Sequence, residues 1–197
     1  MDATARALAG LRSLARTVRD DLPATDEALP ALRALLDAVG LSFKLIGGLA
    51  VVHHGYARFT ADIEVLVDVD GPARLADHAR AHGFVEIRPR RLVHQATGVR
   101  VDLVVARELI RPRMRASFPA PESLAASPRD PAYVALAPPL ELKLRAGRAQ
   151  DIADVTQLLK RLDDAEYLAL EAATPAELRG RVATPREDAL EELRFEE

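Results

Sequence analysis

The chain has 197 residues, 49% of them apolar and only 4% aromatic, and a formal net charge of −3. That length fits one domain with at most a small appendage, with a core built mainly from Leu, Val, Ile and Ala. The weakly acidic balance excludes bulk attraction to nucleic acid or an anionic membrane. The lack of cysteine excludes disulfides, thiolate metal sites and cysteine nucleophiles. The Arg-bearing start lacks the apolar centre of a signal peptide, and no apolar run approaches the roughly 18 residues that span a bilayer. The expectation is a cytoplasmic protein without membrane association.

In chain order, residues 3–19 carry Leu8, Leu11, Leu14, Ala15 and Val18 at helical spacing, interleaved with Arg6, Arg12, Arg16 and Arg19. Pro23 ends that helix. Thr25-Asp26-Glu27 signals a second helix, which runs through Leu32, Leu35, Leu36 and Val39 to Gly40 as its C-cap. Residues 43–46 read as a strand, 48–55 as a short helix, 56–61 as a loop and 62–69 as a strand. Asp70-Gly71-Pro72 breaks the strand, and a helix over 72–82 closes at Gly83. Residues 84–88 and 91–95 are short strands joined by Pro89-Arg90, and Thr97-Gly98 turns the chain into an apolar strand over 99–106. The order β–α–β–α–β–β–β predicts an α+β fold, with a mixed sheet and helices on one side. Residues 107–131 are loop-rich. A helical pattern follows Pro138-Pro139 and is broken in two by Gly147, and the tail from about Thr174 is acidic with weak helical signals. Three segments result: N-terminal helices over 1–40, a core over 41–165 and a helical tail over 166–197.

Residues 43–67 carry the chemistry. Side chains two apart on a strand project to the same face, so Asp62 and Glu64 are placed to share a divalent cation such as Mg²⁺. The plain alternative is a half-exposed strand with two acids toward solvent. Asp102 interrupts an otherwise apolar strand, where an unpaired carboxylate would be costly to bury. If its strand lies beside that of Asp62, three carboxylates converge as two-metal phosphoryl transfer requires, and Asp102 is then a metal ligand or the base toward an attacking hydroxyl. Gly47-Gly48, between a strand and a helix start, lets backbone N–H groups approach a phosphate. Arg58 and Thr60 lie just before the acids as candidate phosphate contacts. His53 and His54 are expected to serve packing or the surface, since Mg²⁺ sites of this kind rarely use imidazole. Farther along, Lys143 is placed to reach a triphosphate as a point charge. Asp151 and Asp154, one helical turn apart, either fix that lysine or cap the second half of the helix.

IGGLAVVHHGYARFTADIEVLV resembles the Gly-Gly/Ser … Asp-x-Asp/Glu signature of the DNA polymerase β-like nucleotidyltransferase superfamily, and VDLVVA supplies its third acid. The block LELKLRAGRAQDIADVTQLL is similar to the Lys … Arg-x-x-Asp-x-x-Asp helix of the abortive-infection, AbiEii-type members found in toxin–antitoxin systems. The likeness covers about residues 40–160. It implies a nucleotidyltransferase-like fold and transfer of a nucleotide from an NTP to a tRNA end, a protein side chain or a small molecule. It implies Mg²⁺ or Mn²⁺ on Asp62, Glu64 and Asp102, and nucleotide contacts from Gly47, Gly48, Lys143 and Asp154, to which the residue reading adds Arg58, Thr60 and Asp151 as candidates. It also implies a possible antitoxin partner. Two departures are visible: Gly48 stands where serine is common, and Glu64 where Asp is usual. One extra methylene displaces a carboxylate by about 1 Å, a shift that costs about 10²-fold at catalytic sites. A degenerate module that only binds nucleotide or a protein partner is therefore the competing expectation. The Arg-bearing segments 6–19 and 107–115 are candidate RNA contacts.

Overall fold

Alternation along the strands decides which side of the sheet faces the core. The computed structural model describes residues 2–15, 24–110 and 116–196. In order these form α1 (Ala3–Ala15), α2 (Thr25–Val39), β1 (Phe43–Ile46), α3 (Gly47–His53), β2 (Asp62–Val67) and α4 (Gly71–Ala79). Then come β3 (Phe84–Arg88), β4 (Arg91–His94), β5 (Arg100–Val105), α5 (Ala137–Ala146), α6 (Ala149–Leu159), α7 (Asp164–Ala173) and α8 (Ala176–Glu196). The five strands make one mixed sheet in the order β1-β2-β5-β4-β3, in which β2 and β5 are parallel and the other neighbours antiparallel.

Ile63, Val65 and Val67 of β2 alternate with Asp62 and Glu64, and Val101, Leu103 and Val105 of β5 alternate with Asp102. The whole apolar set is buried, and all of it but Val105 clusters with Leu29, Leu32, Leu35 and Leu36 of α2 and Leu75 and Ala79 of α4. Full burial of each such leucine contributes about 1.5–3 kcal/mol, so this face is committed to the helical layer. The acidic set is thereby left on the opposite face. A one-residue slip of β2 would carry Asp62 and Glu64 into the core.

Helix α2 begins as expected at residue 25 and ends at Gly40, whose left-handed backbone lets its N–H donate to the carbonyls of Leu36 and Asp37. Thr25 does not cap it. Its buried hydroxyl donates to the Thr60 carbonyl at 3.0 Å, tying α2 to the loop before β2. Two strands are shorter than expected for local reasons. β2 stops at Val67 because the Asp68 carbonyl already accepts from Gly71 N–H in a turn. β5 stops at Val105 because Arg107 takes a positive φ of 69°.

A second apolar cluster joins α5, α6, α7 and α8 through Leu140, Leu144, Val155, Leu158, Leu159, Leu170, Leu178 and Val182, and Val51 of α3 anchors it to the sheet. The weakly helical tail is thus two packed helices, stabilised by burial rather than by local propensity. This cluster sets α5 and α6 against the N-terminal side of α3, where the site lies. No helix among the described residues is long and apolar enough to cross a membrane. Residues 16–23 and the RPRMR run at 111–115 lie outside the described residues, so the basic segments expected there are only partly within view.

Candidate functional site

Strand register brings the acids together. Glu64 is the direct partner of Asp102 across the parallel β2–β5 pair, and Asp62 is the partner of Arg100. Directly opposed residues share a face, so Asp62, Glu64 and Asp102 stand on the open face, all partly exposed. Neither the Asp62 nor the Glu64 carboxylate accepts a hydrogen bond from a described residue. Burial, reinforced by the nearby Asp62 and Asp102 charges and opposed by Lys143 and Arg148, raises the Glu64 carboxyl above its ordinary range.

Gly47 has φ +62°, and a Cβ built there would land on the Glu64 carboxylate. Glycine at this position is what lets the longer acid fold back over the strand end. A Cβ on Gly48 would lie 2.5 Å from the Thr60 hydroxyl and 3.1 Å from Nη2 of Arg58. The space a serine would need there is occupied by Thr60, whose hydroxyl donates to the Asp62 carbonyl at 2.9 Å. Thr60 therefore braces the start of β2.

Facing the acids are cations gathered by α5 and α6. Lys143 is buried and donates to Asp154 at 2.7 Å, with Asp151 at 3.5 Å. Asp154 is wholly buried and also accepts from Arg58 Nη2 at 3.0 Å and from Gln150 at 3.0 Å. Arg58 Nε lies 2.8 Å from Asp154 but off the line of a hydrogen bond, so that contact is purely ionic. Asp151 accepts from the Arg148 N–H at 3.2 Å, which caps α6. Asp154 holds the lysine most closely, while Asp151 caps α6 and also stands within ionic range of Lys143. A cleft of about 200 Å³ is lined by Gly47, Gly48, Arg58, Glu64, Lys143, Arg148, Asp151 and Asp154, and of the three sheet acids Glu64 alone lines it. Ile46, Ile110, Phe118 and Leu142 form an apolar stretch of its wall.

No family model matches the chain, and no curated protein is significantly similar to it.

Arg91, which the sequence reading passed over, pairs with Asp102 across the antiparallel β4–β5 pair and holds both carboxylate oxygens. That hydrogen-bonded pairing raises the Arg91 guanidinium further above its usual range. Among the described residues, no three carboxylate or imidazole groups converge, as they stand, to hold a metal ion. The donor chemistry nevertheless fits a hard divalent cation. Two carboxylates without protein donors stand with a third on one sheet face, and all offer oxygen ligands. For Asp102 to join them, Arg91 must let go.

The two histidines behave as expected. His53 is buried between the Thr4 hydroxyl at 3.2 Å and the Ser127 hydroxyl at 2.8 Å, and it stacks on Tyr133. His54 is hydrogen-bonded with the Val134 carbonyl.

Proposed function

We propose that this chain is a divalent-cation-dependent nucleotidyltransferase that moves a nucleoside monophosphate from an NTP to an acceptor hydroxyl. The observation that supports it is the division of charge across one cleft. Glu64 lines one side, with Asp102 opposite it on β5 and Asp62 two residues away on β2, while Lys143, Arg148 and Arg58 line the other together with Asp151 and Asp154, and Gly47-Gly48 lie between them. A polyphosphate carrying a cation has complementary charge to such a cleft, and phosphoryl transfer depends mainly on positioning and electrostatic stabilisation.

In this reading Asp62, Glu64 and Asp102 hold Mg²⁺ or Mn²⁺, which when bound neutralises phosphate charge and orients the α-phosphate. Lys143, held by Asp154, and Arg148 meet the β- and γ-phosphates. Gly47 and Gly48 offer backbone N–H groups to the phosphate chain, with Glu64 and Thr60 packed where their side chains would otherwise stand. Thr60 holds the Asp62 backbone in place. Asp102, released by Arg91, accepts the proton of the attacking hydroxyl. The acceptor oxygen bonds to the α-phosphorus as the bond to the β-phosphate oxygen breaks, and pyrophosphate leaves toward Lys143.

A second reading is favoured by one observation, the occupation of Asp102 by Arg91. In it the site binds nucleotide without turning it over, and the module works through a protein partner such as an antitoxin. Calorimetry with ATP and Mg²⁺, paired with transfer of label from [α-³²P]NTP, separates the two. Binding with transfer supports the transferase; binding without transfer supports the module.

A further inference from the structure

Helix α3 starts at the cleft with Gly47-Gly48, and its other end borders a second cavity. That cavity measures about 410 Å³ and lies between the end of α3, the stretch just past α6 and the first turn of α7. It shares no lining residue with the cleft. Small-molecule sites run from roughly 300 to 1,000 Å³ and combine an apolar wall with a few polar groups. Here Leu136, Leu158 and Leu162, which belong to or pack on the cluster joining α5 to α8, supply the apolar part. His54, Arg129 and Arg161 supply the polar part.

The two cations are uncommitted. Neither the Arg129 nor the Arg161 side chain makes a hydrogen bond or ion pair with a described residue. Arg161 folds over Gly55, where a Cβ would lie 3.4 Å from its Nη1. The Arg129 charge acts on both His53 and His54, so its guanidinium stands close to the two rings. His54 Nε2 lies 2.9 Å from the Val134 carbonyl. A carbonyl only accepts, so Nε2 carries the proton and Nδ1 has no hydrogen-bond partner among the described residues. Glu166 is the one acid in the wall among the described residues, and it is already engaged: it accepts from the Asp163 N–H at 3.0 Å in the cap of α7.

We propose that this cavity is a ligand site separate from the cleft and that its ligand is a phosphomonoester with an aromatic or aliphatic body. Three donor groups line one cavity, one for each terminal oxygen of a phosphomonoester, whereas a carboxylate has only two oxygens. The Arg129 and Arg161 guanidinium groups meet two phosphate oxygens as charge-assisted forks, and His54 Nδ1 meets the third. The organic body lies against Leu136, Leu158 and Leu162. No part of this depends on nucleotidyl transfer at the cleft.

His54 gives the site a pH dependence. Burial lowers its imidazolium below the ordinary range, the Val134 hydrogen bond opposes this and the Arg129 charge adds to it, so the ring is neutral at pH 7. The charged and titratable groups around it are Arg129 before α5, Arg161 past α6, Glu166 on α7 and His53 on α3, whose ring is 5.1 Å away. A phosphomonoester is mainly a dianion above about pH 6. Its charge favours a protonated His54, so binding takes up a proton and affinity falls as pH rises.

The test is titration calorimetry of the full chain with phenyl phosphate, benzoate and phenol at low salt, at pH 7 and pH 8. The wild type should bind phenyl phosphate in preference to the other two, and should lose up to about tenfold in affinity over that pH step. Arg129→Gln/Arg161→Gln should bind it about 100-fold less tightly, about tenfold for each charged hydrogen bond lost. Both side chains are exposed, so circular dichroism of this variant should match wild type. His54→Gln keeps a donor for the Val134 carbonyl and should lose the pH dependence. Arg148→Gln, in the cleft, should bind phenyl phosphate as the wild type does. No binding by the wild type at millimolar ligand, or unchanged binding by the double variant, overturns the proposal. So does a pH profile that His54→Gln leaves intact, or a loss in Arg148→Gln as large as in the double variant, which would place the phosphate in the cleft. Benzoate bound as tightly as phenyl phosphate would assign the cavity to carboxylates and overturn it as well.

Discussion

Asp154 is the residue on which the cationic wall depends, and its removal has a calculable cost. The carboxylate is 0% exposed and neutralises Lys143 at 2.7 Å and Arg58 at 2.8 Å, whose side chains are only 9% and 21% exposed. Asp154→Ala leaves two cations facing a buried space, with Asp151 at 3.5 Å as the remaining counter-ion of Lys143. Breaking a buried pair in this way costs about 3–5 kcal/mol. Partial solvation of Arg58 places the value near the lower end, about 3 kcal/mol. For a chain of this size about 2–4 °C of Tm is lost per kcal/mol, so a fall of roughly 6–12 °C is expected by circular dichroism or calorimetry. Adding Lys143→Met to Asp154→Ala should recover part of the loss, with a coupling of about 0.5–3 kcal/mol. A Tm change below about 2 °C in Asp154→Ala, or simple additivity in the double variant, would refute the assignment of Asp154 as the charge that holds this wall.

Other expectations concern the acidic wall. Gly47→Ala should cost about 1–3 kcal/mol from the positive φ alone and should also expel Glu64 from its place over the strand end, so thermal melts and Mn²⁺ binding should both deteriorate. The raised carboxyl of Glu64 gives a pH dependence with a definite sign. Between the ordinary Glu range and its raised folded value, the folded state keeps a proton that the unfolded state has lost, so stability falls as pH rises through that window. Glu64→Gln lacks this loss. In EDTA its Tm should therefore equal that of wild type near pH 4 and exceed it at pH 7, and an equal gap at both values would contradict the assignment. Arg91→Gln frees Asp102 and should tighten Mn²⁺ binding severalfold by calorimetry; weaker binding would mean that Arg91 supports the site rather than competing for it.

Much of this site was legible in the sequence because strand alternation is a strong constraint. Asp62, Glu64 and Asp102 each interrupt an apolar run, and burying the flanking Ile63, Val65, Val101 and Leu103 leaves the acids no choice of face. The Gly147 break between α5 and α6 and the Gly40 cap were readable for the same reason, since both are local. Arg91 was missed although a signal existed. The Thr97-Gly98 turn fixes the antiparallel register, and counting back from Val93 opposite Arg100 puts Arg91 opposite Asp102. The roles of Asp151 and Asp154 were narrowed to two but not assigned, because helix spacing places both near Lys143 and only the packing of α5 on α6 sets their distances to it, 3.5 Å and 2.7 Å. The brace from Thr60 to the space above Gly48 depends on a contact between a loop and a helix start, which no local pattern encodes. The C-terminal helices were underrated because their stability comes from burial against α5 and α6 rather than from propensity.

The most direct measurement is incubation of the full chain with [α-³²P]NTP, Mg²⁺ or Mn²⁺ and a mixture of RNA, DNA and protein acceptors, alongside the Asp62→Asn variant. Label should appear on one acceptor class with stoichiometric pyrophosphate release and should vanish in Asp62→Asn. NTP left intact by the wild type, or transfer that survives Asp62→Asn, would contradict the assignment of these carboxylates to nucleotidyl transfer.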